Sequence, residues 1–333
     1  MKKVLGVILA VVGVGVLAGV GFVWGLRPRT RAASAQRVEV TPEKLERGRY
    51  LTEHVSLCFH CHSQEDRSVF GRPPKPGTEG TGGMCLGQAD GFPGTMCAPN
   101  LTSEAETGLG QWTDGEIIRA IREGVSRDGR PLMPIMPYQT YRQMSDADVE
   151  AIVAYLRTVA PVRKAFDPTR LDFPLSLIVR FLPEPLEGSV SAPARSDTVA
   201  YGRYLVALGG CGDCHTPTNE QNEPKPGMLL AGGREFELEP GALVRSANLT
   251  FHKTGLEGAS RAVFIGLFKR HALTGEERHA VDPRFNTMMG WPLYAGMTEE
   301  DLGAIYDYLK TVPPVDNAVM SWNTPRPVVP VPP

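Results

Sequence analysis

The chain has 333 residues, enough for two or three domains, and a formal charge of −2 with a pI near 6.4. No basic stripe runs along it, so nucleic acid binding is not indicated. With 29 prolines and 36 glycines the chain is rich in loops, and four of its six cysteines fall in two short motifs.

Residues 1–26 open with Lys2 and Lys3 and run apolar from Val4 to Trp24. At about 1.5 Å per residue this run would extend roughly 31 Å, enough for a transmembrane helix. A cleaved signal ending near Ala33-Ser34-Ala35 is the competing reading. The anchor is preferred, because a signal core is shorter, about 7 to 15 residues, and Arg27, Arg29 and Arg31 separate the run from that cleavage point. Residues 27–40 read as a polar tether. Thr41-Pro42-Glu43 then starts a helix, with Thr41 as N-cap and Pro42 in the first turn.

That helix passes through Gly48-Arg49-Tyr50-Leu51 and leads to Cys58-Phe59-His60-Cys61-His62. The pattern C-x-x-C-H is the attachment signature of c-type haem. Each cysteine sulfur adds to one haem vinyl group, and the histidine ligates the iron. A redox C-x-x-C would not need the histidine, and a zinc site would need two more ligands at matching spacing. A Gly/Pro-rich stretch, 71–94, follows. Cys85 and Cys97 lie in this region with no adjacent histidine, and in an oxidising compartment they most simply form a disulfide; a reactive or metal-binding pair is the alternative. Thr113-Asp114-Gly115-Glu116 is a capping box, and Ser145 caps a helix with Val149, Ile152, Val153 and Leu156 on one face.

Residues 162–196 form a Pro-rich connector, with an apolar patch from Phe173 to Leu182 expected to pack on the domains beside it. The second half then repeats the first. Gly202-Arg203-Tyr204-Leu205 matches Gly48 to Leu51, and Cys211-Gly212-Asp213-Cys214-His215 matches the first motif. Asn248-Leu249-Thr250 matches Asn100-Leu101-Thr102, and the helix after Thr298 matches the one after Ser145. Residues 314–333 read as an extended Pro/Val tail.

The repeat also selects a second axial ligand. Met136 lies nine residues before Ser145, and Met289 lies nine before Thr298. His/Met ligation is the pair of electron-transfer cytochromes, and the thioether raises the reduction potential. Met136 and Met289 are therefore the candidate ligands opposite His62 and His215. Met133 and Met288 are the lesser candidates, while Met144 and Met297 read as core. His252, His271 or His279 in place of Met289 is the alternative; His54 and His60 are expected to be exposed.

These motifs resemble the membrane-bound multihaem c-type cytochrome family that includes the cytochrome subunits of bacterial alcohol and gluconate dehydrogenases. The resemblance covers most of residues 44–313 and includes Thr107-Gly108-Leu109-Gly110-Gln111-Trp112 and Met136-Pro137-Tyr138. It differs from those subunits in carrying two haem motifs rather than three, in its amino-terminal apolar run, and in having no counterpart of Trp112 in the second half. The expected fold is all-α: two tandem cytochrome c-like haem domains, 41–161 and 197–313, of three to five helices each, after an N-terminal transmembrane helix. The expected cofactors are two covalent haem c groups, held by Cys58, Cys61, Cys211 and Cys214. The expected role is single-electron transfer from a membrane or periplasmic donor to a respiratory acceptor, with no catalytic residues. A dehydrogenase, a quinol-oxidising complex or a terminal oxidase would be the redox partner. The setting implied is the bacterial inner membrane, with the haem domains facing the periplasm, because c-type haem is attached there. A dihaem peroxidase is the enzymatic alternative, and a structural or sensor subunit of a respiratory complex a third reading.

Overall fold

In the computed structural model the described residues are 6, 13–15, 18–21, 30–273 and 280–323. Helix α1 (Pro42–Tyr50) runs into a π-helical turn at Leu51–Val55 and then the four-residue α2 (Cys58–Cys61). A hairpin of β1 (Cys85–Leu86) and β2 (Gly94–Cys97) precedes α3 (Asp114–Glu123), α4 (Tyr138–Tyr141) and α5 (Asp146–Leu156). The connector contributes β3 (Arg170–Leu171) and α6 (Leu175–Ile178). In the carboxyl half follow α7 (Thr198–Leu208), α8 (Cys211–His215), β4 (Glu235–Glu239), β5 (Ala242–Arg245), α9 (Arg261–Lys269), α10 (Trp291–Tyr294) and α11 (Glu299–Leu309).

The all-α expectation with an N-terminal membrane helix is corrected. Two antiparallel hairpins are present, β1–β2 with β3 added at the edge, and β4–β5. In β4, acidic Glu235, Glu237 and Glu239 alternate with Phe236 and Leu238, and Leu238 turns inward to join Ala242 and Val244. That period-two pattern is a strand signal. Among the described residues no helix is long and apolar enough to cross a membrane. Most of residues 1–26 lie outside the described residues.

Each half is built on one close helix crossing, α1 on α5 and α7 on α11. The glycines of the repeated Gly-Arg-Tyr-Leu stretch make it close: a Cβ on Gly48 would lie 1.9 Å from the Ala151 carbonyl oxygen, and one on Gly202 1.9 Å from that of Ala304. Leu51 and Leu205, which end the stretches, are fully buried in one apolar cluster that runs through both halves. Burying each such side chain contributes about 2 kcal/mol.

The tyrosines of the same stretches cross between halves. Tyr50 donates to Asp301 Oδ2 (2.7 Å) and accepts from the Thr298 amide (3.2 Å). Tyr204 donates to Asp148 Oδ2 (2.7 Å) and accepts from the Ser145 amide (3.0 Å). Each tyrosine thus caps the last helix of the other half, as in an isologous dimer.

The segments around these halves are tied down. Arg31 pairs with buried Glu123 (2.6 Å), and the Val38 amide donates to Asp114 (2.8 Å), so residues 31–38 lie on α3. In the connector Val179 is buried, but Phe173, Ile178 and Phe181 are exposed rather than packed. The tail from 315 to 323 is hydrogen-bonded to the carboxyl half through Val315, Asn317, Ser321 and Asn323.

Candidate functional site

Each C-x-x-C-H motif follows a residue in left-handed backbone conformation. Gly210 takes it in the carboxyl half (φ 62°) at no steric cost, whereas Leu57 takes it in the amino half (φ 47°). A non-glycine residue there costs about 1 kcal/mol or more, and burial of Leu57 against Gly290 of the other half offsets this.

The two histidines are held alike. His62 Nδ1 donates to the Pro99 carbonyl at 2.7 Å, and His215 Nδ1 to the Ala247 carbonyl at 2.7 Å. A donating Nδ1 fixes the tautomer in which Nε2 carries the free lone pair, as a metal-ligating histidine requires. Burial pushes both imidazoles down in pKa, against the opposing pull of those carbonyls, and so favours the neutral, ligating form.

The carbonyls are held by the repeated Asn-Leu-Thr stretches just after them. Asn100 donates to the Val162 carbonyl (2.7 Å) and accepts from the Thr102 amide (2.9 Å). Asn248 does the same with Val315 (2.9 Å) and Thr250 (2.9 Å). The strands of chain just after each last helix are therefore equivalent straps across the two sites.

None of the four motif cysteines is in a disulfide. Burial pushes the Cys58 and Cys211 thiols up to about 12 and the Cys61 thiol to about 11, with nearby thiol and carboxylate groups adding to the effect. The Cys214 thiol is raised by burial as well. Cys58, Met136 and Cys211 all border the apolar core cluster. Cys85 and Cys97, by contrast, face each other across β1 and β2 and are joined by a disulfide.

Met136 and Met289 occupy the same turn. The Tyr138 amide donates to the Met136 carbonyl (2.7 Å), and the Trp291 amide to that of Met289 (2.8 Å). Both methionines are half-buried, whereas Met144 and Met297 are fully enclosed in the core. Met288 has its sulfur taken by Arg72 Nη1 at 2.8 Å. His252 is bonded to Thr254 Oγ1 (3.0 Å), and His271 stacks on Phe70 and lies tilted against Trp291. His279 lies outside the described residues. His54 and His60, expected to be exposed, instead meet the other half: His54 Nδ1 bonds the Leu293 carbonyl (2.9 Å), and His60 lies beside Gly290.

Haem c fits this residue set. Each half offers two unbridged cysteines, a histidine with its Nε2 left free, and a methionine on a matched turn. Two further residues carry no motif, and the sequence alone assigns them no role. Tyr141 donates to the Ser56 carbonyl (3.0 Å) and Tyr294 to that of Gly209 (2.6 Å), each closing the turn before a haem motif. Burial, reinforced by the nearby thiols, pushes both phenols well above their ordinary pKa. Gly209 lies beside the Val55 carbonyl and Gly290 beside Leu57 and His60, so the approaches to the two motifs meet across the interface. The matched spacing of Tyr141 and Tyr294 is the sequence signal that marks them.

Residues 46–160 match the cytochrome c family model. The chain is 35% identical over 66% of its length to a nicotinate dehydrogenase subunit of Pseudomonas putida, of which it spans 19%. It is 30% identical over 84% of its length to the fructose dehydrogenase cytochrome subunit of Gluconobacter japonicus, of which it spans 56%. A diheme cytochrome c-type protein of Cereibacter sphaeroides is 29% identical over 78% of this chain and 83% of its own length. Residues 46–160 thus form a cytochrome c domain, and the chain as a whole is similar to dehydrogenase cytochrome subunits and to a diheme cytochrome c-type protein.

Proposed function

We propose that the chain is a dihaem cytochrome c that passes single electrons, as the electron-transfer subunit or partner of a dehydrogenase. The observation that carries this reading is the doubled histidine geometry, with both Nδ1 atoms donating to backbone carbonyls at 2.7 Å. Haem c, when bound, supplies one-electron chemistry at its iron. Cys58 and Cys61 would hold one group and Cys211 and Cys214 the other, with His62 and His215 as proximal ligands and Met136 and Met289 as distal ligands. The chain's own part is to exclude water with the apolar cluster and to fix both ligands of each site. The matched methionine turns favour electron transfer over peroxidase chemistry, which needs one displaceable ligand position.

The relatives named as dehydrogenase subunits support a dehydrogenase as the electron donor. A quinol-oxidising complex and a terminal oxidase are the acceptor classes suited to such a carrier. The Cys85–Cys97 disulfide supports an oxidising compartment, and c-type haem attachment supports the periplasm as the place where the domains work.

Mass spectrometry of the denatured holoprotein tests the count: two haems should remain bound, and one should be lost in Cys211→Ala/Cys214→Ala. Near-infrared magnetic circular dichroism tests the ligands. Met136→Ala and Met289→Ala should each remove one of two iron–thioether bands. A single covalent haem, a high-spin site in the wild type or peroxide turnover would overturn the reading.

A further inference from the structure

The two halves differ in one loop. The connection from His62 to Lys75 is three residues longer than that from His215 to Lys225, although Lys75 and Lys225 close the loops with equivalent backbone bonds, to Gln64 (2.7 Å) and Pro217 (2.9 Å). The extra length forms a lobe over residues 66–72 that leaves the amino half and docks on the ligand turn of the carboxyl half.

Asn286, fully buried, is its hub. Its Oδ1 accepts from the Gly71 amide (2.9 Å), and its Nδ2 donates to the carbonyls of Arg67 (2.9 Å) and Val69 (3.0 Å). The Val281 amide donates to the Ser68 carbonyl (2.9 Å), and Phe70 stacks on His271. At Gly71 (φ 78°) an added Cβ would lie 2.5 Å from Pro292 and 3.3 Å from the Met289 carbonyl, so the lobe touches the ligand turn itself.

Arg72 is the residue this docking delivers. It is 4% exposed and in left-handed conformation (φ 49°). Nη1 meets the Met288 sulfur at 2.8 Å, and Nη2 meets the Leu238 carbonyl at 3.3 Å. Nε is buried without a partner among the described residues. Among those residues Glu65 is its one ion-pair partner, at 3.8 Å, and Glu65 also binds Arg67 at 3.1 Å. Glu239 is close enough to act on it without contact. A thioether is a weak acceptor for a guanidinium, so this is a costly place to bury a cation unless the charge has work to do.

We propose that Arg72, supplied by the amino half, is a positioning residue for the second haem site. By holding Met288 at its sulfur it leaves Met289 as the methionine presented to the iron, and its charge favours the reduced state. The inference rests on the carboxyl half binding haem as proposed above. Oxidation adds a positive charge at the site, and a buried cation nearby opposes it.

The test is a potentiometric titration of the full holoprotein, with the second haem identified as the one that Met289→Ala perturbs. Arg72→Gln should lower the ferrous-to-ferric ratio of that haem, at its wild-type midpoint, by about tenfold, a shift of about 59 mV. The first haem should keep its midpoint, and the second thioether band should weaken. Arg72→Lys keeps the charge and should recover most of the midpoint. An unchanged second midpoint in Arg72→Gln, equal shifts of both haems, or a lysine variant no better than the glutamine one would overturn the proposal. Should Arg72→Gln not fold, Met288→Leu removes the sulfur contact alone; a weakened second band supports the proposal, and an unaltered one overturns it. A wild-type chain with one haem, or with no second thioether band, would instead remove the two-haem reading, and that is read before any Arg72 variant is made.

Discussion

The orientation of each motif histidine depends on a short relay of polar groups. His62 bonds the Pro99 carbonyl, Asn100 follows it and donates to Thr107 Oγ1 (3.2 Å), and Thr107 donates its hydroxyl to Glu104 (2.6 Å). In the carboxyl half Asn248 donates to Thr254 Oγ1 (3.1 Å), and His252 stands where Glu104 stands. This gives His252 a partner of its own, away from the alternative ligand role that the sequence leaves open to it. Asn100→Ala and Asn248→Ala should each cost about 1–3 kcal/mol, since each strands buried partners, and urea unfolding midpoints will show it. Glu104 adds a pH dependence. Hydrogen bonds from the Thr107 hydroxyl and amide hold its carboxyl down at about 2, below the ordinary 4.5. A carboxylate depressed on folding stabilises fully above its unfolded pKa and loses that contribution as pH falls through the folded one. Glu104→Gln should therefore flatten the acid side of a thermal-melt series between about pH 5 and pH 2. An unchanged slope would place the acid sensitivity elsewhere.

Helix packing turns on the two glycines of the repeated stretch. Gly48→Ala and Gly202→Ala drive a methyl group into backbone carbonyls at 1.9 Å, where no side chain can move aside. Each should cost about 1–3 kcal/mol or more, seen as a lower melting temperature. Gly266, inside α9, has nothing within 4 Å of an added Cβ, so Gly266→Ala should be neutral or stabilise by up to about 1 kcal/mol. The contrast shows what is legible in the sequence. The caps at Thr41, Thr113, Ser145 and Thr298 and the 3.6-residue pattern after them locate helices, because those signals are local. The hairpins are hidden by glycine-rich surroundings, though Glu235 to Glu239 alternates plainly. The two C-x-x-C-H motifs are legible because each is complete within five consecutive residues. The matched spacing marks Tyr141 and Tyr294 but not what they bond, and Arg72 carries no signal at all, because each acts on residues far along the chain.

The two halves form one molecule through contacts that only the fold brings together. Tyr50 and Asp301 are 251 residues apart, and the equivalent Tyr204 and Asp148 are 56 apart. Asp148 also holds Arg47 by two bonds of 2.8 and 2.9 Å, while Asp301, 1% exposed, is reached by the more distant Arg195 at 3.3 Å besides its tyrosine. Loss of the Tyr50 hydroxyl therefore leaves a buried carboxylate more exposed to its desolvation cost than loss of the Tyr204 hydroxyl does. Tyr50→Phe should cost about 2–3 kcal/mol and Tyr204→Phe about 1–2 kcal/mol. The interface also sets Leu57, just before the first motif, against Gly290 and His54 on the Leu293 carbonyl, so the same contacts that couple the folds would set the separation across which an electron passes between the proposed haems. In the Tyr50→Phe/Tyr204→Phe protein, denaturation followed by helix circular dichroism and by haem absorbance should no longer coincide, because the halves would lose their mutual caps and open in separate steps. Flash-induced electron transfer between the haems should slow in the same variant. Coincident transitions with an unchanged transfer rate would show that the shared apolar cluster alone holds the halves in register.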